Sequence, residues 1–480
     1  MNHGMVAFII FHMRNTLRTL PVLFALALAI AAPVIFSGYS SLARAFNAPG
    51  QLEAAQLYQS AAWRIPWRAD LYEVAGHQYY LAREYSLANP VYQKAFRHHA
   101  LSAEGWVEWG HVNYQLGDPE RAAEIWGQGL EQKNPSDRLY FFLAQIYKEK
   151  RDYAKAAEYL QRYVFIHAQD ATAHYRFGLL LTLTDPEAAA IELITASQLD
   201  PEFDPAAQTL RTGLNLASLA DAPSARFVII GRGLALVREW ELALAAFEEA
   251  VRVDEKNAEA WAWLGETYQQ TAGKESPEER RNTAKLYLDR ALDLNPISTV
   301  VRGLRGLYFQ RVGNEREALA EFQSASALEP NNPALYVSVG ESYARLGNLI
   351  RALEAYQYAA ALVPDDANYW HLLAQFCAQN NINLDDIGIP AAQQAVVITN
   401  EAPEALDMLG WLLLLDARYP EAEQTLLRAL ELDPQNAGAH FHLGLLYWQT
   451  NDPSSARDHL VLARDLGNTD AETFLNQYFP

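Results

Sequence analysis

The stretch from Pro333 to Asp366, PALYVSVGESYARLGNLIRALEAYQYAAALVPDD, decides the fold. Tyr336, Val339, Gly340 and Tyr343 recur at helical spacing on one face, and Ala352, Tyr356 and Ala359 do so again after Gly347-Asn348 breaks the chain. Two amphipathic helices joined by a short turn follow from that pattern. The small residues Gly340, Ala352 and Ala359 stand where the helices must approach closely, with Tyr336 and Tyr356 filling the space around them. A pair this short cannot enclose its own apolar face, so it must stack on neighbours.

The same spacing recurs on both sides of this stretch. Toward the N-terminus, units start near Ala69, Ala103, Asp137 and Ala171, with Gly76, Gly110, Ala144 and Gly178 in the place of Gly340; the last unit is one residue short around Thr184-Asp185-Pro186. Ala54, Tyr58, Ala61 and Pro66 form a still earlier second helix whose partner overlaps an apolar segment, so the two read as one continuous helix. From Asp204 to Pro223 the register fails, and AAQTLRTGLNLASLA reads as one helix without a repeat partner. Units resume near Ser224, Ala258, Thr299, Pro333, Ala367, Pro403 and Ala437. The insertion GKESPEERR in the Ala258 unit contains Ser276-Pro277-Glu278-Glu279, which has the form of a capping box and lengthens the front of a helix. A looser link, NNINLDDIGIP, divides the Ala367 unit.

This spacing resembles the tetratricopeptide repeat (TPR), a helix-turn-helix unit of about 34 residues. The resemblance covers roughly Gln51 to Gly467 in about twelve units. It implies an all-α, right-handed solenoid of helix pairs, preceded here by one transmembrane helix. It also implies a concave surface, lined by the first helix of each pair, that holds peptides or proteins without catalysis. The expected organisation is a short cytoplasmic segment (1–18), a transmembrane anchor (19–46), a first array (51–203), an irregular helix (204–223), a second array (224–469) and a C-terminal capping helix (470–480).

The anchor rests on the absence of charge from Thr19 to Ala43, since about 20 apolar residues suffice to cross a bilayer. Arg14 and Arg18 precede the span and only Arg44 follows closely, which puts the N-terminus in the cytoplasm and the repeats outside. A cleaved signal peptide is the rival reading, because Ala43-Arg44-Ala45 has the small-x-small form of a cleavage site. The product would then be secreted. Met5 to Phe11 is apolar but too short to span.

Composition excludes several functions. The net charge is −20 and no Asp or Glu occurs before Glu53, so the repeats carry the acidity and offer nucleic acid no basic face. Cys377 is the only cysteine, which rules out an internal disulfide or a thiolate metal cluster within one chain. The sequence contains no GxxxxGK[ST], GxSxG or HExxH motif, so phosphate cradling, serine hydrolysis and zinc proteolysis lack their minimal parts. Neither His98-His99 nor His440-x-His442 has the helical spacing that turns two imidazoles to one ion. No catalytic residue, cofactor, metal or small-molecule substrate is expected.

Some TPR proteins grip acidic C-termini with a basic carboxylate clamp. The matching positions here hold Asp70, Glu73, Val74 and His77, then Glu104, Val107, Glu108 and His111, so the clamp is absent. The layout is also similar to that of membrane-anchored TPR proteins of lipopolysaccharide assembly, but one cysteine cannot build the metal module that ends those chains. Arg302 and Arg305 occupy normally apolar positions, where a charge needs a partner. Either they pair with Glu275, Glu278 or Glu279 of the insertion or they snorkel to solvent; a local basic spot for an acidic binding partner is the alternative.

By the resemblance, the groove-facing residues of the last three units are His371, Gln375 and Ala378, then Asp407, Trp411 and Leu414, then Phe441, Leu445 and Trp448, with Met408, Leu415 and His442 beside them. Large aromatics there expose apolar area unless something covers it, and such patches mark partner sites. The competing expectation is that Phe474, Leu475, Tyr478 and Phe479 fold back over this face. The functional expectation is a membrane-anchored interaction scaffold. An accessory subunit of a membrane-bound envelope enzyme system, such as polysaccharide synthesis or export, is the alternative.

Overall fold

Helix starts and stops are written locally all along this chain, and the computed structural model, which describes residues 25, 26, 28–271 and 275–479, is all-α with no strand among them. Asp118, Asp152, Asp170 and Asp185 each cap a helix by accepting a backbone N–H, and many of the second helices follow a turn with one left-handed residue. Gly347 takes that conformation at φ 78°, whereas Arg83, Arg151, Arg238, Ala417 and Asn451 adopt it at the equivalent turns despite their Cβ. Residues 1–24, including Arg14, Arg18 and the start of the uncharged span, lie outside the described residues, as do 27, 272–274 and 480.

The chain divides into two compact units at Leu214–Asn215. In the first, five helix pairs follow one another: α1 (Leu28–Phe46) with α2 (Gln51–Arg64), α3 (Asp70–Leu81) with α4 (Tyr85–Arg97), α5 (Ala103–Gln115) with α6 (Pro119–Leu130), α7 (Arg138–Glu149) with α8 (Tyr153–Ile166), and α9 (Ala171–Leu181) with α10 (Pro186–Leu199). A single helix, α11 (Asp204–Ser218), contains the boundary and buries one stripe, Ala207, Leu210, Leu214 and Ala217.

The second unit holds α12 (Pro223–Leu236) with α13 (Trp240–Val253), α14 (Ala258–Gln270) with α15 (Pro277–Leu294), and α16 (Thr299–Arg311) with α17 (Glu315–Leu328). These are followed by α18 (Pro333–Arg345) with α19 (Leu349–Leu362), α20 (Ala367–Asn380) with α21 (Ile389–Ile398), α22 (Pro403–Leu415) with α23 (Tyr419–Leu432), α24 (Ala437–Gln449) with α25 (Pro453–Asp465), and the closing α26 (Thr469–Tyr478). Within each unit the pairs stack as a solenoid, and the cores run between neighbouring pairs rather than closing around one centre.

Close approach within a pair depends on the small position. A methyl built on Gly110 would lie 2.0 Å from Trp126 Nε1, so only glycine lets this indole reach Val107, to whose carbonyl it donates at 3.0 Å. In the Pro333 unit Tyr356 packs over Gly340 as the pattern predicts, but Tyr336 turns instead to Tyr358, with ring centroids 4.4 Å apart. The capping box is present: Ser276 and Glu279 exchange hydrogen bonds with each other's backbone, and α15 runs for 18 residues where most second helices have 13 or 14. The loose link in the Ala367 unit is a π-helical turn, Leu384–Gly388, entered through left-handed Asn381 and Asn383.

The partners expected for Arg302 and Arg305 require correction. Both guanidiniums reach Glu321 on α17, and Arg305 also donates to Asp289 on α15 at 2.7 Å. They pair with the second helices packed against their own, because side chains there point back across the stack rather than along the insertion.

Candidate functional site

The last three first helices, α20, α22 and α24, carry the predicted partner-binding residues. Asp407 on α22 accepts a hydrogen bond from His442 Nδ1 on α24 at 2.6 Å, with both side chains largely enclosed. Trp411, one turn beyond Asp407, lies flat against the His442 imidazole, centroids 5.2 Å apart and planes 9° apart. The start of α24 comes so near that a methyl on Gly438 would sit 2.3 Å from Asp407 Oδ2. A carboxylate at the first turn of a helix is favoured by that helix's dipole. Asp407 therefore ties two successive repeats together through a charge, a hydrogen bond and a stacked indole. His371 on α20 completes the polar row; burial depresses its pKa while the charge of Asp407 acts in the opposite direction.

The other predicted residues divide by accessibility. Met408 and Leu414 are buried in the hydrophobic core with Leu412 and Leu443, so they form the floor under the face and are not presented to a partner. Ala378 is buried in the same core. Trp411 and Leu445 are half-buried, and Leu415 is exposed. At the C-terminal end Trp448 meets Phe474, Tyr478 and Phe479, with centroids 5.2–5.8 Å away, and Phe441 packs on the cluster of Leu460, Ala463, Ala471 and Leu475. The C-terminal helix thus folds onto Trp448 and Phe441, although Trp448 stays 36% exposed; on the rest of the face Leu415 is exposed and Trp411 half-buried, beside the enclosed Asp407–His442 pair.

His440 and His442 point to different neighbours. While His442 binds Asp407, His440 Nδ1 lies 3.0 Å from His459 Nδ1 and its Nε2 donates to the Pro434 carbonyl at 3.2 Å. Among the described residues no group of three potential metal ligands comes together. Burial pushes the Cys377 thiol up to about 11, far from the thiolate a nucleophile requires.

Sequence reasoning missed a buried carboxylate in the first unit. Glu108, at a position examined only for a clamp, is enclosed and receives His77 Nδ1 at 2.7 Å and the Tyr92 hydroxyl at 2.5 Å. Burial, reinforced by the Glu108 charge, raises the Tyr92 pKa, which keeps the phenol a donor. Glu73 likewise accepts from the Ser102 backbone N–H at 2.7 Å, and Arg138 donates to Glu104 at 2.7 Å. Glu73 and Glu104 thus pair with the next repeat and Glu108 with the preceding one. The signal available in the sequence was a Glu falling among positions that pack against a neighbouring first helix.

Two repeat families match the chain. A model described as "TPR repeat" covers residues 418–451, and one described as "Tetratricopeptide repeat" covers 74–138, 107–174, 231–271 and 304–367; together they match half of the chain. Superkiller complex protein 3 of Mus musculus is 24% identical over 296 residues, which is 61% of this chain and 18% of that protein. The chain therefore spans less than a fifth of that relative's length. Among solved structures, the yeast Tom70 crystal structure aligns over 94% of this chain and 95% of its own at 15% identity and a TM-score of 0.38. The APC/C hetero-tetramer Cut9-Hcn1 aligns over 95% and 97% at 16% identity and a TM-score of 0.36. From the repeat spacing, the stacked helix pairs and the family matches, the chain belongs to the tetratricopeptide-repeat family.

Proposed function

We propose that this chain is a non-catalytic scaffold that is anchored in a membrane through α1 and takes a peptide or protein against the first-helix face of α20 to α24. The observation that carries the binding reading is Trp411, a half-buried indole held flat by His442 beside exposed Leu415. Rigid aromatics with an apolar neighbour and a charged rim are the usual anchors of protein interfaces. The proposed contact residues are Asp407, Trp411, Leu415, His442 and Leu445, over a floor of Met408 and Leu414; Phe441 and Trp448 border it under the C-terminal helix.

The anchor reading is supported by the apolar helix Leu28–Phe46, whose exposed first turns lie within the uncharged stretch that begins at Thr19. Its last turns, with buried Gly38, Ser41 and Ala45, pack on α2, so cleavage after Ala45 would remove the first helix of the first pair. With Arg14 and Arg18 ahead of the span, the repeats lie outside the cytoplasm. Affinity purification of the full chain in mild detergent, followed by mass spectrometry, tests the function. Trp411→Ala should abolish recovery of the bound protein with little change in helicity. Equal recovery by the variant would remove the site. A single membrane enzyme recovered in constant proportion would favour the accessory-subunit reading over a general scaffold.

A further inference from the structure

The point where α1 leaves its exposed stretch carries aromatic side chains that the stacking of repeats does not explain. The first unit contains five tryptophans; Trp106, Trp109 and Trp126 are 4%, 1% and 2% exposed, but Trp63 and Trp67 are 70% and 60% exposed. Both belong to the end of α2 and the turn into α3, and that turn is held against α1. Trp67 Nε1 donates to the Tyr39 hydroxyl at 3.4 Å, Arg64 donates to Ser41 at 3.1 Å, and a methyl on Gly38 would meet Ile65 at 2.7 Å. Phe36 and Tyr39, also exposed, stand at the same level of α1.

That level coincides with the end of the apolar span. A segment of about 20 residues crosses the hydrocarbon core, and one beginning at Thr19, where the uncharged stretch starts, ends at Gly38. Trp and Tyr concentrate at the boundary between hydrocarbon and headgroups, where an apolar ring and a polar N–H or O–H are both satisfied, and Arg extends from there toward phosphates. Arg64 and Arg68 each follow one of the two indoles in the sequence WRIPWR, Arg68 pairing with Asp70 at 2.8 Å, and no acidic residue precedes Glu53.

We propose that the turn between α2 and α3 is a membrane-interface foot: Trp63 and Trp67, with Phe36, Tyr39, Arg64 and Arg68, sit in the headgroup layer of the bilayer that α1 enters. The first repeat is then seated on the lipid surface and not held away from it by a flexible stalk. This rests on the anchor reading above. In this first unit the turn between α5 and α6, Leu116-Gly117, at the opposite end of the antiparallel helices, then faces away from the bilayer.

The test uses the full chain in vesicles of phosphatidylcholine and phosphatidylglycerol, with an environment-sensitive fluorophore placed by Trp63→Cys, Trp67→Cys, Ile30→Cys or Leu116→Cys. All four positions are exposed, whereas native Cys377 is fully buried and escapes labelling. Spin labels on the headgroup or deep in the acyl chain quench the probe by depth. The expected result is loss of emission at 63 and 67 with headgroup spin labels, loss at 30 with deep ones, and none at 116. Quenching at 30 with positions 63 and 67 as unquenched as 116 overturns the foot alone. Absence of quenching at 30 overturns the anchor, and the foot with it.

Discussion

His442 Nδ1 and Asp407 Oδ1 are 2.6 Å apart although 35 residues separate them in the chain, and the bond joins one repeat to the next through the face proposed to bind a partner. Because both side chains are mostly enclosed, losing either leaves the other poorly solvated. Asp407→Ala or His442→Ala should each lower unfolding stability by about 1–3 kcal/mol. The double variant should lose less than the sum, because the two share one interaction. Urea denaturation of the four proteins measures this, and strictly additive losses would mean that the pair contributes nothing as a pair.

The small position is graded by its neighbour. A methyl on Gly306 would lie 2.4 Å from Phe322 Cε1, whose ring is buried, whereas on Gly340 the nearest atom, Tyr356 Cε2, is 3.0 Å away. Gly306→Ala should cost about 1–3 kcal/mol through overpacking. Gly340→Ala should be close to neutral, since the gain of about 1 kcal/mol in helix propensity offsets a small ring displacement. Comparable urea midpoints for the two variants would show that the contact distances do not govern tolerance.

That gradation also marks how far the sequence is legible. Helix pairs, turns and the glycine contacts are local or repeat within 34 residues, so Gly340 over Tyr356 and the Ser276–Glu279 box can be read from one chain. Partners across repeats cannot. Arg302 and Arg305 could reach acids of the insertion or of the packed second helices, and only the stack selects Glu321 and Asp289. Met408 and Leu414 have groove-side positions in the repeat pattern, yet the crossing of α22 over α20 and α24 puts them in the core. Trp448 depended on whether the last helix folds back, which no periodicity encodes.

The His440–His459 contact makes stability sensitive to acid. With His440 Nε2 donating to Pro434, its Nδ1 accepts from His459 Nδ1–H. Burial, and then the neighbouring His440, hold His459 below its ordinary value of 6.5; Asp458 acts weakly the other way. A depressed folded pKa means that the unfolded chain takes up the proton first. The contribution is therefore fully present above about pH 6.5 and declines as the pH falls below it. Urea midpoints should drop between about pH 7.5 and about pH 5.5, and His459→Gln should shrink that drop. An unchanged drop in the variant would assign the acid sensitivity to other groups.

The most direct test of the binding claim places a photoreactive amino acid at Leu415, exposed beside Trp411 on the first-helix face, and at Leu427, exposed on the second helix of the same pair. After irradiation in intact cells, position 415 should give a discrete cross-linked species that disappears when Trp411→Ala is combined with it, and position 427 should give none. Cross-linking from 427 but not 415, or a species at 415 that persists without Trp411, would contradict the placement of the partner on this face.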